Sequence, residues 1–223
     1  MTDWSVYINF MARRKNLALP SELTAAALAL FVEKGFAATR LDDVAARVGV
    51  SKGTVYLYFK SKEDLFKAVI RESIVPALEE GEAMAAAHQG DCRSLLQKVL
   101  TGWWQLIGGT PLAGVPKLMI SEARNFPDVA RYYHENAIQR GRRLIIGVLR
   151  QGIDRGEFRD MDVDMAIDII MAPLLMRAIW RFSMGACCGQ QALTEEAADE
   201  DNAQAFLNFH FNLLLSGLAK EPL

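Results

Sequence analysis

Cysteine is scarce in this chain of 223 residues, which has three, and two of them, Cys187 and Cys188, are adjacent. Disulfide-rich secreted domains need an even set of spaced cysteines, so the count excludes that class. The first residues also lack the basic, apolar and small-residue order of a secretory signal. These absences predict a protein of the reducing cytoplasm. A thiol sensor built on Cys187 and Cys188 with Cys92 stays open, although buried or incidental thiols are commoner.

Long hydrophobic runs are also missing, although 51% of the residues are hydrophobic. The most apolar stretches, RLIIGVLRQGI and MAIDIIMAPLLM, are bounded or interrupted by charge. Both are shorter than the roughly 18 apolar residues that a membrane-spanning helix needs. The composition therefore predicts a soluble protein with a large apolar core and no membrane partner.

Signatures of catalysis and of metal binding are absent as well. The chain has no G-x-S-x-G, P-loop or G-x-G-x-x-G pattern, and its three histidines lie far apart. The stretch DMDVDM resembles the start of a calcium loop, but Met165 and Met171 stand where that loop needs glycine and a bidentate glutamate. We therefore expect no enzyme activity, no metal and no cofactor.

The charge of the chain is unevenly distributed. The net charge is −2, which argues against a general polyanion binder, yet residues 1–71 carry +4 and residues 72–223 carry −6. The basic part contains the aromatic-rich stretch GVSKGTVYLYF, residues 49–59. A DNA-binding segment therefore belongs in the N-terminal part, if the chain has one.

Helical periodicity runs through almost every segment, and no segment alternates like a strand, so we predict an all-α fold. Thr39 is expected to cap the second helix, Ser61 to cap the fourth, and Pro76 to kink the fourth. The N-terminal arm, residues 1–19, stays poorly defined, and both Met1 and Met11 are candidate initiating residues. The helices are predicted at about 20–34, 41–48, 51–59, 62–88, 91–107, 112–125, 127–155, 163–184 and 201–218.

Residues 36–62 have the spacing of a helix-turn-helix. Ala45 is small where two helices would cross, Gly49 suits the turn, and Val55 would fix the second helix against the core. Gly53 would then permit close approach to DNA, Lys52 and Thr54 would meet base edges, and three further side chains would donate to phosphates. Those three are Tyr56, Tyr58 and Lys62.

The stretch ALALFVEKGFAATRLDDVAARVGVSKGTVYLYFKSKEDLF closely resembles the DNA-binding segment of TetR-family transcriptional regulators. This resemblance implies a three-helix DNA-binding domain over residues 20–66, joined by a long fourth helix to a helical domain over residues 67–223 that binds a ligand and forms a homodimer. It also implies repression of a palindromic DNA operator and release by a small effector. The DNA-contacting set that it implies is Thr39, Arg40, Lys52, Gly53, Thr54, Tyr56, Tyr58 and Lys62.

The C-terminal part is similar to the AefR-like subgroup of that family over FPDVARYYHENAIQRGRRLIIGVLRQGIDRGEFR, which identifies no effector. Aromatic and sulfur-containing residues favour an apolar effector cavity, with an ordinary core or a dimer interface as the equal alternative. The candidate ligand residues are Trp103, Trp104, Met119, Phe126, Met171, Met176 and Trp180. The candidate dimer residues on the last helix are Phe206, Phe209, Leu213 and Leu214, which would pack with the 163–184 helix in a four-helix bundle.

A competing class stays open from the sequence: a helical ligand-binding or interaction protein whose helix-turn-helix is purely structural. Binding to a palindromic duplex separates the two classes.

Overall fold

The computed structural model describes the backbone of residues 4–184 and 200–218 and the side chains of residues 18–184 and 202–218. Cys187 and Cys188 lie outside the described residues. The described chain is helical and contains no β-strand, as predicted. It forms two compact units, Met1–Glu72 and Ser73–Leu223.

From the second helix onward the helical segments follow the prediction, except that π turns divide the predicted helices 62–88 and 127–155. Those of the first unit are α1 (Trp4–Lys34), α2 (Leu41–Val48), α3 (Lys52–Tyr58) and α4 (Lys62–Val69). The remaining ones are α5 (Val75–Ala87), α6 (Cys92–Trp103), α7 (Gly114–Glu122), α8 (Pro127–Tyr133), α9 (Gln139–Asp154), α10 (Val163–Arg181) and α11 (Glu200–Leu218). Three π-helical turns follow α4, α6 and α8, at Ile70–Ile74, Trp104–Gly108 and His134–Ile138.

The start of the first helix differs from the prediction. We expected it near Pro20, because proline is favoured in the first turn of a helix. The helix instead begins at Trp4 and carries Pro20 in its interior. A proline there removes one backbone hydrogen bond without ending the helix when the residues on both sides remain helical.

The predicted fourth helix is divided. Residues 62–87 are helical, but the π turn Ile70–Ile74 separates α4 from α5, and Pro76 lies in the first turn of α5. Proline has no N–H to donate to the carbonyl four residues earlier, so the regular α register is interrupted just before it. Pro76 therefore does disturb this segment, by a change of hydrogen-bond register.

The first unit packs around three aromatic rings. The ring centroids of Phe31, Phe36 and Phe66 lie 5.0 to 5.6 Å apart. The rings are tilted or edge-on to one another, which are arrangements that aromatic pairs prefer. Val44 and Val55 are fully buried in the same unit. The core predicted for the helix-turn-helix is thus joined to α1 and α4.

The cap of α2 corrects a prediction. Arg40 is the residue that precedes the helix, and its N–H donates to the Asp43 carboxylate at 3.1 Å. Thr39, which we expected to cap α2, is buried, and its hydroxyl donates to the Gly35 carbonyl at 2.7 Å. Gly35 has a φ of +85°, so Thr39 stabilises the left-handed turn that ends α1.

The second unit has its own core among α6, α9, α10 and α11. Its fully buried large side chains are Leu96, Leu149, Phe158, Ile167, Ile170 and Leu174. Asp162 caps α10, because its carboxylate accepts from the N–H groups of Asp164 and Met165. Cys92 lies in this core, and burial raises the pKa of its thiol, which disfavours a reactive thiolate.

Candidate DNA interface and effector cavity

The geometry of α3 follows from three neighbouring residues. Gly49 ends α2 with a φ of +79°, and its N–H donates to the Ala45 carbonyl at 2.9 Å. Ser51 begins α3 by accepting from the Thr54 N–H at 3.1 Å. Val55 is fully buried, so it fixes the rotation of α3 about its axis. The turn at Gly49 and the burial of Val55 agree with the sequence spacing, and the cap at Ser51 is an addition from the structure.

One face of α3 is left to solvent as a result. Lys52, Gly53, Tyr56 and Leu57 are exposed and lie together on the side of the helix away from Val55, and these four residues form the reading face of α3. Leu57 is 83% exposed, and Gly53 has no side chain, so another molecule can approach the backbone of α3 closely here. The reading face is therefore accessible to a partner at its full width.

The charge on the reading face is held in place by a neighbour. Lys52 Nζ lies 3.0 Å from the Asp42 carboxylate and 5.9 Å from the centroid of the Tyr56 ring. The hydrogen bond to Asp42 raises the pKa of Lys52, so the ammonium keeps its charge. Both partners are exposed, so an anion from a ligand can replace Asp42 at little cost.

Three more of the predicted DNA-contacting residues lie at the edges of this face. Thr54 is half-buried, with its hydroxyl 2.8 Å from that of Ser51, and Tyr58 is half-buried at the end of α3. Arg40 is exposed immediately before α2. These three residues are thus at least partly exposed, and their contact with DNA stays a prediction.

The remaining two are engaged inside the unit. Thr39 is buried against the turn at Gly35. Lys62 Nζ donates to the carbonyl oxygens of Phe36 and Ala37 at 3.0 and 2.9 Å, and it lies 4.8 Å from the Phe36 ring centroid. Both side chains hold the backbone after α1. Neither arrangement could be read from helical spacing, because both depend on contacts with another segment.

The second unit contains an apolar cavity of about 250 Å³. All three π turns contribute to its wall, through Ile74, Ile107, Ala137 and Ile138. A π turn inserts an extra residue and widens the helix locally, so three helices bulge where they meet the cavity. The other lining residues are Leu78, Trp103, Pro116, Tyr133, Gly141, Arg142, Ile145, Ile167, Asp168, Met171, Ala172 and Leu175.

The predicted ligand residues are divided between this cavity and other places. Trp103 and Met171 line it. Trp104 and Met119 are buried, Phe126 is half-buried before α8, and Met176 and Trp180 are exposed on α10. Residue type alone could not separate these groups, since helical rotation decides which side of α10 faces inward.

Polar residues of the cavity were missed by the sequence reasoning. Tyr133 is 9% exposed, and Arg142 forms an ion pair with Asp168 and a longer one with Asp164 at 3.4 Å. The hydrogen bond to Asp168 raises the pKa of Arg142. A tyrosine in the periodic stretch VARYYHENA is the signal that the sequence offered, and it does not distinguish Tyr132 from Tyr133.

A larger cavity of about 580 Å³ adjoins the first. The two share Leu78, Trp103, Ile107, Gly141 and Ile145 in their walls. The Trp103 ring packs against Gly108, where a Cβ would come within 2.6 Å of it. Trp103 thus lies between the two spaces and is held by a glycine of the π turn.

Two helices of the second unit expose apolar stripes. On α10 the stripe is Met165, Ile169, Met176 and Trp180, spaced by about one or two turns. On α11, Phe209 and Leu213 are 64% and 60% exposed. The other two candidate dimer residues, Phe206 and Leu214, are half-buried against the core instead. Phe206 stacks on His210, and the Arg177 guanidinium lies 4.4 Å from its ring centroid.

No helix in the described ranges is long and apolar enough to span a membrane. Among the same residues, no cluster of three or more histidine, cysteine or acidic side chains has the geometry of a metal site.

Comparison with known proteins identifies both units. Residues 23–69 match the bacterial regulatory proteins of the tetR family, and residues 86–186 match the tetracyclin repressor-like C-terminal domain. The HTH-type transcriptional regulator YdeS of Bacillus subtilis is 30% identical over 160 residues, which cover 70% of this chain and 76% of YdeS.

Two further proteins extend the likeness. The HTH-type transcriptional repressor KstR2 of Rhodococcus jostii is 26% identical over 162 residues, covering 72% of this chain and 78% of KstR2. The crystal structure of the transcriptional regulator FadR from Bacillus subtilis, in complex with stearoyl-CoA, superimposes with a TM-score of 0.68 at 23% identity. That match covers 88% of this chain and 98% of FadR.

Proposed function

Because the chain belongs to the TetR family of bacterial regulatory proteins, we propose that it is a homodimeric repressor released from a palindromic operator by a small apolar or amphipathic ligand. DNA reading is assigned to the unit Met1–Glu72, and ligand binding and dimerisation to the unit Ser73–Leu223. The relatives are regulators, so the proposal includes no catalysis. An operator as partner implies action in the cytoplasm.

The observation that carries this proposal is the reading face of α3. A buried Val55 and a capped start hold the helix firmly, while its outer side offers a cation, a glycine and a phenol. Helices of this kind enter the major groove with their N-terminal residues at the base edges. Lys52, Gly53 and Thr54 occupy those positions.

The other proposed contacts have supporting roles. Arg40, Tyr56 and Tyr58 are placed to donate to phosphates on both sides of α3. Thr39 and Lys62 act through the backbone after α1, which they hold next to the phosphate-binding surface. We therefore propose that these two residues position the interface rather than contact DNA directly.

Dimerisation is proposed through the two exposed apolar stripes. In a monomer, the large hydrophobic side chains of both stripes would be exposed to water. Two copies related by a twofold axis would bury them in a four-helix bundle. Such symmetry requires an operator with two half-sites about one DNA turn apart, roughly 34 to 36 Å.

The effector site is proposed to be the apolar cavity of the second unit. Its wall is almost entirely hydrophobic, and the adjoining space beyond Trp103 offers room for a longer chain. FadR was crystallised with stearoyl-CoA, which supports a ligand with a long apolar chain, and KstR2 is a repressor, which supports a negative effect on transcription.

Selection of bound fragments from random duplex DNA tests the proposal. We expect enrichment of one palindrome, bound by one dimer, with an affinity at least about a thousandfold above that for random DNA. Recovery of no preferred sequence would favour the competing class, an interaction protein whose helix-turn-helix is structural.

A further inference from the structure

Tyr133 places an unsatisfied hydrogen-bond donor at the cavity. The residue is 9% exposed, it lines the cavity, and the described residues give its hydroxyl no hydrogen-bond partner. A hydroxyl without a protein partner is left to hydrogen-bond to water or to a ligand. Among the described residues, Arg177 Nε is the side-chain atom that is both fully buried and without a hydrogen-bond partner. The Tyr133 hydroxyl is not in that class. The hydroxyl is therefore reachable from the cavity.

The protonation state of this group is defined. Burial raises the pKa of Tyr133 above its ordinary value, so the phenol stays neutral throughout the physiological range. A neutral phenol in this setting offers one O–H donor to an acceptor that enters the cavity.

The charged residues of the wall disfavour an anionic ligand. Arg142 is the cation among the lining residues, and it is already paired with Asp168 and Asp164. Two carboxylates against one guanidinium leave a negative local charge. An entering carboxylate would lose its hydration in an apolar space and could reach Arg142 only by replacing Asp168, which exchanges one exposed ion pair for another with little net gain.

The remaining walls are apolar. Ile74, Leu78, Ile107, Ile145, Ile167 and Met171 enclose the space with side chains that have no donor or strong acceptor. The cavity thus combines a large hydrophobic surface with two neutral donors, the Tyr133 hydroxyl and the indole N–H of Trp103.

We infer that the cavity selects an uncharged apolar ligand with one carbonyl group, such as an ester, thioester or ketone, and that the Tyr133 hydroxyl donates a hydrogen bond to this carbonyl. The inference rests on the proposed function, because it identifies the chemical class of the effector. Tyr133 then contributes to specificity, and the corresponding free acids are disfavoured because the Arg142 cation is already paired with Asp168.

Calorimetric titration of the whole protein without DNA tests this, with methyl decanoate and decanoate as probes at neutral pH. We expect the ester to bind more tightly than the acid. Tyr133→Phe should weaken ester binding about tenfold, the usual effect of one lost hydrogen bond, and should leave decanoate binding almost unchanged. The matched control is Tyr132→Phe, the same change at a neighbouring residue that does not line the cavity.

Three results would overturn the inference: tighter binding of decanoate than of its ester, no binding of the ester, or equal ester affinity in Tyr133→Phe and the native protein. Circular dichroism of both variants verifies that they are folded. These titrations contain no DNA, so a failure of the inference is distinguishable from a failure of the proposed function. The latter would appear as the absence of a selected operator.

Discussion

Lys62 Nζ lies 3.0 Å from the carbonyl oxygen of Phe36, and its charge sits 4.8 Å from the centroid of the Phe36 ring. The sequence predicts that Lys62, at the start of α4, donates to a DNA phosphate. Its ammonium instead links the start of α4 to the backbone that follows α1. The residue therefore stabilises the geometry of the first unit.

Replacement of this ammonium tests that role. We expect Lys62→Met to lower the free energy of unfolding by about 1–3 kcal/mol, because two carbonyl acceptors lose a charged donor. The dependence of operator affinity on salt should keep its slope, since no phosphate contact is removed. Thermal denaturation and affinity measured over a series of salt concentrations give the two quantities.

Lys52→Met is the matched control for Lys62. Its ion pair with Asp42 is exposed, so the melting temperature should change little, while the preference for the operator over random DNA should fall. If Lys62→Met instead weakened the salt dependence of operator affinity and left the melting temperature unchanged, Lys62 would be a phosphate contact.

A substitution at Gly53 distinguishes an effect on DNA binding from an effect on stability. A Cβ added there would meet nothing closer than Ser51 Oγ at 3.7 Å, which is ordinary contact. Gly53→Ala should therefore keep or raise stability by up to about 1 kcal/mol, because alanine favours a helix. Operator affinity should nevertheless fall at least about tenfold, since the methyl group occupies the closest approach to DNA. Equal operator binding in a folded Gly53→Ala protein would contradict the proposed reading face.

The exposed residues Phe209 and Leu213 of α11 are proposed to lie in the dimer interface, so a charged side chain introduced there should weaken the dimer. We expect Phe209→Glu to raise the dimer dissociation constant about a hundredfold, because a carboxylate would be buried without a partner. Sedimentation equilibrium measures this, and operator affinity should fall with it. Asn208→Glu, an adjacent change on the polar side of the helix, should leave the dimer intact. A Phe209→Glu protein that remains dimeric would place the interface elsewhere.

Two glycines of α9 should respond in opposite directions to the same substitution. A Cβ on Gly152 would lie 2.1 Å from the ring of Phe158, which is itself buried, whereas a Cβ on Gly147 would meet nothing within 4 Å. Gly152→Ala should destabilise the protein by about 1–3 kcal/mol through overpacking, and Gly147→Ala should stabilise it by about 0.5–1 kcal/mol. Denaturant titration measures both, and stabilisation by Gly152→Ala would mean that Phe158 can move aside.

Pro76 is expected to affect communication between ligand and operator. The π turn before it contains the boundary between the two units, and its last residue, Ile74, lines the cavity. Pro76→Ala supplies the missing N–H and favours a regular α-helix. We expect the coupling free energy, typically about 1–3 kcal/mol, to change more than the ligand affinity measured without DNA.

Calorimetry with and without operator gives this coupling for both proteins. Unchanged coupling together with an altered ligand affinity would make Pro76 a residue that shapes the cavity.

The helix-turn-helix was predictable in detail from the sequence because its signals are local. The left-handed φ of Gly49, the cap at Ser51 and the burial of Val55 each depend on a few neighbouring residues, and helical periodicity predicted most of the other helix bounds. The start of α1 was missed because a proline both begins helices and is tolerated inside them.

The sequence by itself determined which segments are helical and which short stretch can read DNA, since capping, turn geometry and amphipathic periodicity act within about ten residues. Only the tertiary structure decided that Lys62 binds the backbone after α1, that Met176 faces solvent, and that Tyr133 lines a cavity. Those outcomes depend on how distant helices rotate and pack against one another. The three π turns of the described residues also rotate the helical segments that follow them, because each inserts an extra residue. A pattern of hydrophobic residues at a constant period of about 3.6 does not predict such an insertion.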